Sequence, residues 1–289
     1  MSSSGYGLLQ ENMNKRPLNP ITAEHRNTYR REGVVHLRRM FDRQWIERLR
    51  QGVDRLLEDP EKYGVPGPSH GASMASVCFM WRQPGVFRDF ALNSPVGEVV
   101  GRVIGSDTIR VYHDHLFHKP PGSTKVMVWH CDETAWPVTG EMAPNIWIAL
   151  TPVDRHNGRV EYVAGFHRHC VDNNLHFGFA PDQADGLCPD FETERDNPDF
   201  RFRFVSFDME PGDAVVFHPS TPHFSRGNYS RTRPRTGLAV RVFGDDVRWY
   251  PAAHKAAIPG VDSLPEGEAP SGEFFPVIWQ RGNSKEFAE

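Results

Sequence analysis

Cysteine is scarce in this chain of 289 residues, and the four present (Cys78, Cys131, Cys170 and Cys188) form no CxxC pair. That spacing excludes a zinc knuckle or a disulfide framework as the organising element. No apolar run approaches the roughly 20 residues that a membrane-crossing helix needs. The opening, MSSSGYGLLQENMNKRPLNP, lacks the apolar core of a secretory leader, so a cytoplasmic protein without membrane contact is expected. A basic surplus is missing too: the net charge is −4, and nothing points to a nucleic-acid partner. There is no internal repeat and no low-complexity block.

What is abundant is turn chemistry, with 25 glycines and 24 prolines, which inclines the chain toward β structure. Residues 1–20 read as a mobile arm. Residues 22–31 read as a short polar helix and 33–37 as a strand. Asp42 then caps a helix whose Trp45, Ile46, Leu49, Val53, Leu56 and Leu57 share one face. Residues 59–73 are loop. Ser94-Pro95 opens a second helix at its first turn, striped by Val96, Val99, Val100, Val103 and Ile104 and stopped by Gly105. From Ile109 the period changes to two, placing Ile109, Val111, His113, His115 and Phe117 on one strand face. Further strands are expected at 126–130, 145–151, 159–163, 203–207, 213–218 and 237–243, separated by turn signals. A polar insertion, 173–199, interrupts them, and an apolar tail at 274–279 docks back on the domain. The expectation is an arm over 1–20 and one α+β, mainly β, domain over 21–289, built on a sandwich or barrel. Lids are expected at about 59–81 and 173–199.

The chemistry gathers around VMVWHCDETAWPVTG, residues 126–140. On an extended chain His130 and Asp132, two apart, leave the same face, while Cys131 points away. They supply two parts of a 2-His-1-carboxylate metal site. With 14 histidines, roughly one His-x-Asp arises by chance, so the tripeptide needs company. A third ligand stands after the strand DAVVF, where either His218 or His223 qualifies on spacing. Arg226, Arg231, Arg233 and Arg235 follow. A guanidinium projecting inward from a strand near a metal suits a dicarboxylate, because its fork binds a carboxylate bidentately.

LFHKPPGS (116–123), WHCD (129–132), NGRVEYVAGFHR (157–168) and GDAVVFHPSTPHFSRGN (212–228) together resemble the phytanoyl-CoA dioxygenase family of iron(II)- and 2-oxoglutarate-dependent oxygenases. The resemblance runs from about residue 29 to residue 249. It implies a double-stranded β-helix (jelly-roll, cupin-like) core with helices packed on one sheet. It implies iron held by His130, Asp132 and His223, with His218 matching a strand-end histidine that is not a ligand. The family's 2-oxoglutarate arginine matches Arg235, with Arg233 as the alternative. Trp147 and His115 match positions beside the cosubstrate, and His113 and Trp136 positions toward substrate. The implied reaction consumes dioxygen and 2-oxoglutarate, releases succinate and CO2, and hydroxylates or otherwise oxidises a C–H bond of a small-molecule metabolite. An aspartate at 132, rather than a small residue that leaves room for halide, favours hydroxylation over halogenation. Two other readings remain: a cupin-type metal enzyme that needs no 2-oxoglutarate, and a catalytically silent binding module.

Overall fold

The computed structural model describes residues 13–59, 74–178, 186–251, 255, 258–261 and 264–282. The order begins with α1 (Ala23–Glu32), β1 (Val34–Leu37), α2 (Arg43–Glu58), β2 (Ala75–Cys78), α3 (Val86–Asn93), α4 (Val96–Ile104), β3 (Thr108–Lys119), β4 (Met127–His130), β5 (Val138–Thr139), β6 (Asn145–Ala149) and β7 (Val160–Ala164). It continues with α5 (Phe166–Asp172), β8 (Phe177–Gly178), β9 (Gly186–Leu187), α6 (Phe191–Glu194), β10 (Arg203–Ser206), β11 (Ala214–Phe217), β12 (His223–Ser225), β13 (Arg235–Phe243), β14 (Arg248–Trp249) and β15 (Val277–Gln280).

Local chemistry sets the helix ends. The Thr22 hydroxyl accepts from the His25 amide at the start of α1, which stops at Gly33 in the left-handed region. Asp42 accepts from the Trp45 amide at the start of α2. Pro95 lies at the cap of α4 rather than inside its first turn.

The large sheet runs β1-β11-β6-β13-β3-β15, with β2 also on β3, and the small one β10-β7-β12-β4. Each is antiparallel throughout. Helices α2 to α4 bury Leu49, Phe90 and Val100 against the outer face of the large sheet, where Leu116, Ile148, Val216 and Val240 point. Fully burying such a side chain contributes about 1.5–3 kcal/mol. The other face, with Trp147, Val215, Phe217 and Ala239, meets Tyr162 and Ala164 of the small sheet. This is the double-stranded β-helix, with helices on one sheet.

One expectation about faces fails in an instructive way. The β13–β3 register passes Arg241↔His113 and resumes at Val242↔Val111, leaving Tyr112 as an extra residue. Such a bulge exchanges the two faces of a strand. Ile109 and Val111 therefore pack on the helix side, whereas His113, His115 and Phe117 face inward.

The expected arm is also docked from Met13 onward. Asn14 Nδ2 donates to the Met40 carbonyl at 2.8 Å, and the Trp45 indole donates to the Asn14 carbonyl at 3.0 Å. Residues 1–12 lie outside the described residues, as do 60–73 and 179–185 of the expected lids. Of the remaining lid segments, β2 is a sheet strand, with Cys78 opposite His115. In α6, Phe191 is buried against Trp129 and Phe166.

The apolar tail does dock: β15 pairs with β3, and Trp279 lies over Gly97 and Gly101 of α4, where a Cβ would overlap its side chain. Gly101→Ala gains about 1 kcal/mol of helix propensity and loses about 1–3 kcal/mol by overpacking. We expect a net loss read as a melting point lower by a few degrees, with Trp279→Leu in the same chain restoring it.

Candidate metal centre and cosubstrate pocket

The register of the small sheet sets His223 of β12 directly opposite His130 of β4. Their rings lie 4.1 Å apart, centroid to centroid. Asp132 follows β4 in a helical conformation, at the start of the short 3-10 turn Glu133–Ala135, and its amide donates to the Pro219 carbonyl at 2.9 Å. It therefore reaches the histidines by a turn, not by the strand alternation that its spacing suggests. His130 Nε2 is 3.7 Å from Asp132 Oδ1, and His223 Nε2 is 3.8 Å from Asp132 Oδ2. One ligand atom from each of the three lies within 4.8 Å of the others, a cluster that can hold a metal ion. Both histidines turn Nδ1 to a backbone carbonyl, Val128 at 2.7 Å and Thr221 at 3.1 Å. That hydrogen bond fixes the tautomer, leaving each Nε2 lone pair for a metal.

Electrostatics agree with this arrangement. Burial, then the neighbouring His130, lowers His223 to about 3, so it is neutral and able to ligate. Burial alone would raise Asp132, but Arg241, His223 and His130 hold its carboxyl well below the usual range. His218, the competing histidine, instead braces the ligand loop: its Nδ1 accepts from the Ser220 amide at 3.1 Å, and its ring packs on His167. Cys131 is buried away from the cluster, its thiol toward the Ser220 carbonyl at 3.5 Å.

The cluster opens into a cavity of about 250 Å³ between the two sheets. His113, His115, Trp136, Trp147 and Arg235 line it together with His130, Asp132 and His223, whereas the alternatives His218 and Arg233 do not. Arg235, on β13, is 2 % exposed, and its guanidinium lies 4.6 Å from the Trp147 ring centroid. Among the described residues no carboxylate meets it, and its Nε has no partner. Burial lowers it to about 10, which leaves it charged at neutral pH. Arg233 is outside, exposed and paired with Asp154 at 2.7 Å. Gly237 faces Trp147 so closely that any Cβ would overlap the ring, which is why glycine stands there. His115 presents a ring rather than a free donor. Its Nδ1 accepts from Arg241 Nη1 at 3.0 Å, and its Nε2 meets Ser76 Oγ at 2.6 Å.

Three residues escaped the sequence reading. Arg241 lines the cavity with Nη2 3.6 Å from Asp132 Oδ2. Continuing the two-residue period from Arg235 through Gly237 and Ala239 reaches it. Asn145, opposite Arg241 across the β6–β13 pair, donates to Asp132 Oδ2 at 2.8 Å. Lys119, opposite Arg235, is wholly buried and donates to Ser225 Oγ at 2.9 Å and the Arg226 carbonyl at 2.6 Å.

Burial, with Arg235 and Lys125 adding repulsion, lowers Lys119 from its ordinary 10.5 to about 6. The native state then holds fewer protons than the unfolded chain between those values, so this group makes stability rise with pH across that window. Lys119→Met removes that slope. The melting-point difference, native minus variant, is expected to grow between pH 6 and pH 9; a constant difference would sink the assignment.

The structure is similar to that of the non-haem, alpha-ketoglutarate-dependent carbocyclase SnoK from nogalamycin biosynthesis. The TM-score is 0.73 and the identity 24%, over 92% of this chain and 99% of that one. Ectoine dioxygenase of Stutzerimonas stutzeri is 25% identical over 160 residues, 53% of this chain and about half (52%) of that enzyme's length. Ectoine dioxygenase of Sphingopyxis alaskensis is 23% identical over 221 residues, 72% of each chain. The protein is a 2-oxoglutarate-dependent non-haem iron dioxygenase, using iron, 2-oxoglutarate and dioxygen. It belongs to the phytanoyl-CoA dioxygenase family, whose model matches residues 29–237. No helix among the described residues is long and apolar enough to cross a membrane.

Proposed function

We propose that this enzyme oxidises, by hydroxylation, a C–H bond of a small-molecule substrate. In this reading His130, Asp132 and His223 hold the iron and Arg235 holds the far carboxylate of 2-oxoglutarate. The observation that carries it is Arg235: a charged guanidinium, buried and without an anion of its own, opening into the same cavity as the His-Asp-His cluster. A buried charge left unpaired is costly. A dicarboxylate cosubstrate removes that cost, whereas a cupin-type enzyme without cosubstrate or a silent module gives it no purpose.

When bound, iron with 2-oxoglutarate and dioxygen supplies the oxidising chemistry that yields succinate, CO2 and the hydroxylated product. The chain itself positions and excludes. Arg235 offers its fork to one carboxylate, and the Trp147 ring backs the guanidinium at 4.6 Å. The carbonyls of Val128 and Thr221 orient the two imidazoles, and Asn145 and Arg241 hold Asp132 Oδ2. Phe117, Tyr162 and Phe217 give the cavity an apolar wall, while His113 and Trp136 stand toward the substrate. The test is succinate yield across a small-molecule panel with reconstituted enzyme. Yield above the substrate-free background that requires both iron and 2-oxoglutarate supports the reading, and failure to bind 2-oxoglutarate sinks it.

A further inference from the structure

Arg241 poses a question that the cosubstrate does not answer. It is a second guanidinium in the same cavity, 6 % exposed, lying toward Asp132 and Trp136 rather than toward Trp147. Its Nη1 is spent on His115 and its Nη2 is 3.6 Å from Asp132, but its buried Nε has no partner. Directly across the β13–β3 pair stands His113, also buried, with neither ring nitrogen hydrogen-bonded. Burial and then Arg241 keep His113 neutral by lowering it well below its ordinary value. The bulge at Tyr112 is what lets Tyr112 and His113, neighbours in sequence, both line the cavity. Phe79 stacks on His113 at 4.8 Å, and Trp136 lies edge-on to Tyr112 at 5.8 Å, so the polar pair is framed by aromatic rings.

Charge completes the argument. On the functional reading above, a divalent metal and two guanidiniums face one Asp132 carboxylate and a cosubstrate dianion, which leaves one positive charge uncompensated in a buried site. His113 is neutral, and Lys119, lowered to about 6, is largely so at pH 7. Behind this wall burial raises Asp114 from its ordinary 3.8 to about 7, so at neutral pH it carries only part of a negative charge, and the Arg82 guanidinium near it is positive. A buried charge of that kind calls for an anion.

We propose that Arg241, with His113 beside it and Phe79, Tyr112 and Trp136 around it, forms a substrate subsite for an organic anion. The ligand class is a carboxylate on an apolar or aromatic body. Because Arg241 also touches Asp132, the carboxylate lies close to the metal, and the carbon presented for oxidation is only a few bonds from it. Arg241 thus determines substrate charge, and Arg235 serves the cosubstrate alone. The inference rests on the functional reading above, and the experiment separates the two.

Benzoate and its neutral isostere benzamide are titrated by calorimetry into enzyme loaded anaerobically with iron and saturating 2-oxoglutarate, which occupies Arg235. Benzoate is expected to bind at least tenfold more tightly. Arg241→Met is expected to erase that preference and Arg241→Lys to retain part of it, with 2-oxoglutarate affinity changed less than threefold in either. Circular dichroism and iron stoichiometry establish that each variant is folded and loaded, and Trp136→Leu, which leaves both arginines in place, should weaken both probes alike. Equal binding of the two probes, binding of neither, or an undiminished preference in Arg241→Met overturns the subsite. Loss of 2-oxoglutarate affinity in Arg241→Met assigns that residue to the cosubstrate and also overturns it. If the native enzyme binds no 2-oxoglutarate, the functional reading fails instead, and the carboxylate preference is then judged on the protein with iron alone.

Discussion

Asp132→Ala is expected to lose stoichiometric iron and all iron-dependent succinate formation while leaving His130 and His223 in place. The carboxylate supplies the only anionic donor of the cluster, and the remaining pair of neutral imidazoles is a poor site for a hard divalent ion. A second effect is expected in the metal-free protein. Arg241 Nη2 lies 3.6 Å from Asp132 Oδ2, and Asn145 donates to the same oxygen at 2.8 Å. Removing one partner of a buried ion pair costs about 3–5 kcal/mol, because the other charge stays behind unpaired. At roughly 2–4 °C per kcal/mol for a chain of this order of size, the melting point should fall by roughly 6–20 °C. Iron analysis and thermal unfolding check the two parts separately. Stoichiometric iron in the variant would remove Asp132 from the ligand set.

Arg235→Met is expected to behave in the opposite way toward stability. Two charge-assisted hydrogen bonds at about 1.5–3 kcal/mol each are lost to the cosubstrate. At 1.4 kcal/mol per tenfold, the 2-oxoglutarate dissociation constant should rise by roughly 100-fold or more. Iron binding should be unchanged. The cosubstrate-free protein should be no less stable than native, since a buried guanidinium without a carboxylate is replaced by an apolar chain that packs on Trp147. Arg233→Met serves as the comparison. That residue is exposed and paired with Asp154, so 2-oxoglutarate affinity should change little. Anaerobic titration of the iron-loaded variants with 2-oxoglutarate decides between them. Equal losses at both positions, or a loss confined to Arg233, would reassign the cosubstrate arginine.

Much of this molecule is legible in its local sequence. The start of the first helix, the cap at Asp42, the stripe from Val96 to Ile104 and most strands lie within a residue or two of where pattern places them. These features depend on neighbours a few residues away, so a local reading suffices. Misreadings came where distant segments intervene. Residues 1–20 read as a mobile arm because they are polar, but Asn14 finds the Met40 carbonyl and the Trp45 indole nitrogen. Unbroken alternation puts Ile109 and Val111 on the face of His113 and His115, and the bulge opposite Arg241 turns the first two outward.

By itself the sequence determined the secondary elements, the candidate donor types and their order along the chain: a His-x-Asp, two possible later histidines and a run of arginines. It left His218 and His223, and Arg233 and Arg235, open on spacing. Tertiary structure sets the members of each pair apart. Cross-strand register sets His223 opposite His130 and sends His218 to the loop, and strand β13 carries Arg235 inward while Arg233 stays at the surface. The reason is that pairing partners lie far apart in sequence; His130 and His223 meet only because β4 and β12 are hydrogen-bonded neighbours. Arg241 shows the same limit. Its inward direction was within reach of a period of two, but its meeting with Asp132, His115 and His113 exists only once β13, β3 and the metal loop are folded together.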